Sequence, residues 1–184
     1  MNSPKKKLFE EIPCLENRRI ALRRLEEWDA PDLRGLTADG EVYRYLPTFL
    51  FEKRYADPRE AIRRLYGECF ADRESLILGI FLKAGDRFCG LAEFYGYSAA
   101  HCKASVGYRL TRRCWGQGIA TEALALMVDY LLSRTDIEII TASTIVENRA
   151  SARVLEKNGF TRTTAGVPED WGYAEPTIAD KWFR

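Results

Sequence analysis

Arg113-Cys114-Trp115-Gly116-Gln117-Gly118-Ile119-Ala120 is the stretch from which the rest of the chain is read. Before it, Ala104 to Leu110 reads as a strand. After it, Ile119 to Ser133 places Ala120, Leu124, Met127 and Leu131 on one stripe at spacings of four, three and four, the pattern of an amphipathic helix. A helix start has unpaired N–H groups and a partial positive charge. Glycines let the backbone approach a ligand closely, so strand, glycine turn and helix together form a seat for phosphate. A phosphate-binding Walker loop would end in Gly-Lys-Ser/Thr, but Ile119 follows Gly118. A dinucleotide fingerprint needs a third glycine, and Thr121 stands in its place. The local physics gives an anion site and leaves the anion open.

Upstream, Arg18 to Leu25 alternates Ile20 and Leu22 with charges, the period of a strand. Asp29 and Pro31 open a helix to about Leu36, with Asp29 as its cap. Residues 41–56 gather Tyr43, Tyr45, Phe49, Phe51 and Tyr55 around Pro47 and read as a helical turn and a loop. Asp57-Pro58 starts a helix to about Asp72, with Ile62, Leu65 and Phe70 inward. Ser75 to Lys83 is a nearly continuous apolar run, Gly85-Asp86 a hairpin turn, and Phe88 to Tyr97 a strand carrying Glu93. Downstream, Ile137 to Val146 is a β-branched strand. Asn148 caps a helix to about Lys157, Gly159 stops it, and Phe160 makes the contact beyond the stop. Ala165 to Pro176 reads as turn-rich, and Ile178 to Phe183 as the last strand. The expected organisation is one α+β domain over residues 18–184, preceded by a polar arm at 1–17, loose or docked.

A length of 184 residues suits a single domain. Lys plus Arg is 28 and Asp plus Glu is 27, which lacks the basic field of a nucleic-acid binder. No apolar run approaches the ~18 residues of a spanning helix. The start, Met-Asn-Ser-Pro-Lys-Lys-Lys, has no apolar stretch behind it as a secretory signal would. Neither nucleic acid nor membrane is therefore an expected partner. Cys14, Cys69, Cys89, Cys102 and Cys114 are odd in number and never at C-x-x-C spacing. That pattern fits reduced thiols in a cytoplasmic protein, with neither a metal site nor a disulfide framework.

The glycine segment resembles the R-x-x-G-x-G/A signature of the GNAT (Gcn5-related) N-acyltransferases. Glu147-Asn148-Arg149-Ala150-Ser151, then Val154-Leu155-Glu156-Lys157-Asn158-Gly159-Phe160, resembles the branch that includes the ribosomal-protein alanine acetyltransferases, as does Val106-Gly107-Tyr108-Arg109-Leu110. The likeness covers residues 18–183. It implies an α/β/α sandwich whose mixed, mostly antiparallel sheet has splayed central parallel strands and flanking helices. It implies acetyl-CoA as co-substrate and a primary amine as acceptor, on a protein N-terminus or a small molecule. Attack would be direct, in a ternary complex, by a monomer or homodimer. The alternative is a non-catalytic acyl-CoA-binding module of the same fold. The cofactor would lie where the strands ending near Leu110 and Val146 part. By the resemblance, pantetheine pairs with the backbone of Tyr108, Arg109 and Leu110. The pyrophosphate is held across Arg113, Gly116, Gln117, Gly118, Ile119 and Ala120, with a hydroxyl from Thr121. Asn148 hydrogen-bonds the pantetheine arm, and Ser151 lies close to the cofactor.

The chemistry adds demands. A lysine-type amine has a pKa of ~10.4 and an α-amine ~8, so a group must accept the proton, usually a carboxylate. The thiolate leaves with a pKa near ~8.5. The tetrahedral oxyanion needs an N–H donor, placed near Leu110 by the resemblance. The branch's usual glutamate before Val-Gly-Tyr is Ser105 here, and the tyrosine many relatives use as general acid is Leu155. Glu93 is therefore the expected base, with Tyr108 and Ser151 as catalytic hydroxyls. His101 is the runner-up base, in a connecting turn, and Tyr95 and Tyr97 are weaker candidates for the acid or for pocket lining. The aromatic segment 43–55 and Glu169, Asp170 and Trp171 are expected to shape the acceptor site, the acids suiting a cationic amine.

Overall fold

The computed structural model describes residues 5–184. Strands β1 (Leu15–Glu16), β2 (Ile20–Arg23), β3 (Ser75–Leu82), β4 (Arg87–Ser98) and β5 (Lys103–Leu110) are joined antiparallel. Strand β6 (Ile139–Ile145) pairs parallel to β5, and β8 (Thr177–Phe183) and β7 (Thr161–Glu169) complete the sheet antiparallel. The order is β1-β2-β3-β4-β5-β6-β8-β7. Strand β3 is buried at all eight positions, which is why its sequence is apolar without alternation.

Helices cover both faces. On one lie α4 (Ile119–Arg134) and α5 (Arg149–Lys157); on the other lie α1 (Ala30–Thr37), α2 (Gly40–Tyr43) and α3 (Pro58–Arg64). The period of two along β5 sorts its side chains: Ala104, Val106 and Leu110 join the core under α4, while Lys103, Ser105, Gly107 and Arg109 face the side of α1 to α3. The stripe predicted on α4 is inward, with Leu124, Met127 and Leu131 fully buried. Each such side chain contributes about 1.5–3 kcal/mol of hydrophobic stabilisation.

Three local expectations are corrected. Asp29 does not cap α1; its carboxylate accepts from Glu26 N at 2.8 Å and pairs with Arg23 at 2.9 Å, fixing the short 3-10 turn before the helix. The helix expected over 58–72 passes after Arg64 into a π turn, Leu65–Cys69. There Tyr66 donates to Ile77 O at 2.9 Å and accepts from Leu25 N at 2.7 Å, locking the wider turn to β3 and to the chain just after β2. The segment 161–169 is a strand, where turns were expected from Ala165. It is exposed along almost its whole length, so it shows no inward–outward alternation. The N-terminal segment is docked where it is described: Leu8 and Phe9 are buried in the α4-side core, and Lys6 O accepts from Asp136 N at 2.9 Å. Met1 to Pro4 lie outside the described residues.

Candidate active site

Strands β5 and β6 hold together over only three register pairs: Lys103↔Ile139, Ala104↔Ile140 and Ser105↔Thr141. Beyond Ser105 they part. β5 stays with β4 as far as Leu110, while β6 follows β8 as far as Ile145↔Ala179. The edge of β5 from Val106 onward has no partner in β6, and it opens into a cavity of about 1280 Å³. That volume exceeds the ~300–1000 Å³ of an ordinary single-ligand site.

The glycine segment forms one end of this cavity. Gly116 and Gly118 have φ of +70° and +76°, and the space where either would carry a Cβ is empty. A side-chain-bearing residue there would be strained and would project into the opening. The first intrahelical bond of α4 runs from Glu122 N to Gly118 O, so the N–H groups of Ile119, Ala120 and Thr121 are left free by the helix. Gly116, Gly118, Ile119, Ala120 and Thr121 all line the cavity. The side chains of Arg113 and Gln117 turn away: Arg113 Nη2 donates to Phe88 O at 3.1 Å, and Gln117 Nε2 donates to Arg113 O at 2.7 Å. Trp115 Nε1 donates to Leu110 O at 2.9 Å, folding the indole over the end of β5.

Helix α5 supplies the opposite wall. Asn148 Oδ1 accepts from Ser151 N at 3.1 Å, a helix cap that leaves the Asn148 amide nitrogen free. Tyr108 OH and Ser151 Oγ are hydrogen-bonded at 2.9 Å across the opening between β5 and α5. Burial pushes the Tyr108 phenol up to about 12, so it keeps its proton at neutral pH. Leu155 is in the core and offers nothing polar.

The floor on the α1–α3 side holds a buried ionic cluster. Arg109 Nη1 donates to Glu93 Oε2 at 2.6 Å, and Nη2 donates to Glu52 Oε2 at 2.7 Å. Its Nε lies 2.6 Å from Glu52 Oε1 but off the line of a hydrogen bond. Ser75 Oγ donates to Glu93 Oε1 at 2.7 Å, and Tyr43 OH donates to Glu52 Oε1 at 2.8 Å. Burial opposes the charge of Arg109, but Glu52 and Glu93 together raise its pKa above the ordinary guanidinium value. Two carboxylates face one cation, so the cluster carries one excess negative charge to the wall where Glu93 lines the cavity. The Arg109 side chain is thus bound within the protein.

His101 is exposed in a 3-10 turn, its Nδ1 2.8 Å from Ser98 Oγ, and Tyr97 packs on Phe9 with ring centroids 5.6 Å apart. Neither lines the cavity, whereas Tyr95 does. The two segments expected at the acceptor site do meet: Thr48 N donates to Trp171 O at 2.9 Å, and Tyr173 OH donates to Leu46 O at 2.7 Å. Glu169 is not a free acid, however. Its Oε2 accepts from Trp171 Nε1 at 2.9 Å, and its Oε1 pairs with Lys181.

A sheet splayed beside a glycine-opened helix start is the arrangement that the comparisons decide. The model of the acetyltransferase (GNAT) domain matches residues 19–161. The chain belongs to the GNAT acetyltransferase family. The probable N-acetyltransferase YjcK of Bacillus subtilis is 31% identical over 149 residues, 79% of this chain and 82% of that protein. The uncharacterized N-acetyltransferase p20 of Bacillus licheniformis is 29% identical over 174 residues, 94% of each. Among solved structures, the ribosomal L7/L12 alpha-N-protein acetyltransferase RimL, in complex with coenzyme A, superposes with a TM-score of 0.78 at 19% identity. The match covers 94% of this chain and 97% of RimL, and carries the fold.

Sequence reasoning missed several residues of this GNAT site. Glu52 and Ser75, with Tyr43 of the expected aromatic segment, complete the Arg109–Glu93 cluster. Arg153 and Lys157 on α5, and Lys103, Thr141, Ser143 and Lys181 on the sheet, line the cavity. One signal was available. In Val106-Gly107-Tyr108-Arg109-Leu110 the alternation sends Arg109 inward from a central strand, and a buried arginine demands carboxylates. Glu52 could not be chosen from sequence because it lies 57 residues away, in the aromatic segment.

Proposed function

We propose that this GNAT enzyme passes the acetyl group of acetyl-CoA to a primary amine, on a small molecule or a protein N-terminus, by direct attack in a ternary complex. The observation that carries the reading is the β5–β6 separation after Ser105, with the free N–H groups of α4 at its mouth. The unpaired edge of Val106 to Leu110 suits the amide-bearing pantetheine arm, which can hydrogen-bond there as an added strand would. The main-chain N–H groups of Gly118 to Thr121 suit the pyrophosphate. RimL, which shares this fold, is known in complex with coenzyme A, and this supports a CoA thioester as the donor.

The acceptor approaches from the face lined by Glu93, Tyr95 and Ser105. Its nitrogen attacks the thioester carbonyl carbon, and the oxyanion takes a main-chain N–H near Leu110. The amine proton goes to Glu93. Both Glu93 oxygens already accept one hydrogen bond, so the proton reaches a remaining lone pair, directly or through a water. The carbon–sulfur bond breaks, the departing thiolate is met by a hydrogen bond from the Tyr108–Ser151 hydroxyl pair and takes its proton from water, and Glu93 returns the amine's proton to solvent. Five cysteines, odd in number and never at C-x-x-C spacing, support a cytoplasmic location.

The test is release of CoA thiol with a panel of primary amines. In Glu93→Gln, turnover is expected to fall by at least about 100-fold, the scale of general-base catalysis, with the acetyl-CoA KM little changed. Unchanged turnover removes Glu93 from the mechanism.

A further inference from the structure

The strand register lays out a level row on the acceptor face. Glu93 pairs with Gly107, and Ser143 pairs with Lys181. Ser105 pairs with Thr141, which sets Gly107 level with Ser143 across the opening. The row Glu93–Gly107–Ser143–Lys181 thus spans the splay, and the parting of β5 from β6 sets its outer backbones farther apart than the ~14 Å of three paired-strand spacings. One end carries the excess negative charge of the Glu52–Arg109–Glu93 cluster. The other carries Lys181, whose Nζ donates to Ser143 Oγ at 3.1 Å.

Lys181 is not alone. Lys103 points to the same face from the start of β5, and both lysines line the cavity. Burial is the main cause that lowers the pKa of Lys181, and the positive charge of Lys103 acts in the same direction. Between and beside them are the hydroxyls of Ser105 and Thr141, 2.8 Å apart, and that of Ser143. Glu169, the one carboxylate paired with Lys181, offsets a single charge and also holds Trp171. Two cations, three hydroxyls and one acid leave a net positive pole.

We propose that Lys103 and Lys181, with the hydroxyls of Ser143 and Thr141, seat an oxyanion of the acceptor, which is therefore an amine that also carries a carboxylate or phosphate. An anion in this part of the cavity offsets the two ammonium charges that line it, and hydroxyl donors complete its hydrogen bonds. The amine of the same molecule points to the negative end of the row, next to the thioester. The lip residue Glu169 then acts as a competitor for Lys181, weakening the seat while it is empty. The inference rests on the acetyl-transfer reading above and names the acceptor class for that site.

The experiment compares kcat/KM for four primary amines of matched length: pentylamine, cadaverine, 5-aminopentanoate and 4-aminobutyl phosphate. At least one of the two anionic amines is expected to exceed pentylamine by about tenfold or more, the scale of one charge-assisted contact, with cadaverine last. The better of the two identifies the oxyanion. Lys181→Met and Lys103→Met should each shrink the anionic-to-neutral ratio. Glu169→Gln should enlarge it, which a merely structural role for these residues would not do. Preference for cadaverine, or ratios unmoved in both lysine variants, overturns the proposal. Heat protection by CoA without thiol release on any of the four also overturns it and leaves acetyl-CoA binding standing. Absence of CoA protection would instead fail the underlying reading.

Discussion

Arg109 shows how one residue joins stability to the site. Removing an ion from water costs several kcal/mol, and mutual attraction repays it only when every partner is present. Here the guanidinium, two carboxylates and two hydroxyls are all engaged. Arg109→Met would leave Glu52 and Glu93 buried without a cation. It is expected to lower unfolding stability by about 3–5 kcal/mol, read from urea denaturation. Glu93→Gln keeps the Arg109–Glu52 pair and should cost clearly less. That contrast separates loss of turnover in Glu93→Gln from loss of fold. At this scale the sequence was half legible. Glu93 stood out among apolar neighbours, but its partners are fixed by strand alternation and by a distant turn, which no local pattern displays.

Among elements, α5 carries a feature that its motif obscured. Arg149, Arg153 and Lys157 recur every four residues, which puts them on one stripe of the helix. All three are exposed, and among the described residues none forms an ion pair. Arg153 and Lys157 line the cavity beside the anion loop. The double variant Arg153→Gln/Lys157→Gln is expected to weaken CoA binding by about tenfold at low ionic strength, with the loss shrinking as salt screens the charges. Calorimetric titration at low and high salt checks this; an equal loss at both would point to packing. The elements themselves were largely readable: β3 by its apolar run, α4 by its stripe, and α5 by its cap and glycine stop. β7 was not, because a strand exposed on both faces has no hydrophobic period. The π turn after Arg64 was not, because its cause is Tyr66 reaching β3 and the chain just after β2.

At the scale of the whole molecule, the N-terminal arm is docked where it is described, with Leu8 and Phe9 in the domain's core. Leu8 is 1% exposed and packs with residues of α4 and the sheet. Leu8→Ala is expected to cost about 2–5 kcal/mol of stability, as for other buried leucines. CoA at about 100 times its Kd should restore about 2.7 kcal/mol, because it binds only the folded state. Thermal unfolding with and without CoA reads both effects.

The parting of β5 from β6 has a consequence of another kind. A sheet that stops pairing midway is two blades hinged on three residue pairs. Without a cofactor, the seam exposes amide and carbonyl groups in the middle of the fold, where most proteins have their most protected backbone. Amide protons of Val106 to Leu110 that point into the seam should exchange with solvent as fast as those of an outer strand, and slow sharply when CoA fills it. On the placement proposed above, the cofactor is the missing strand, and the enzyme would be mechanically whole only while it holds its substrate.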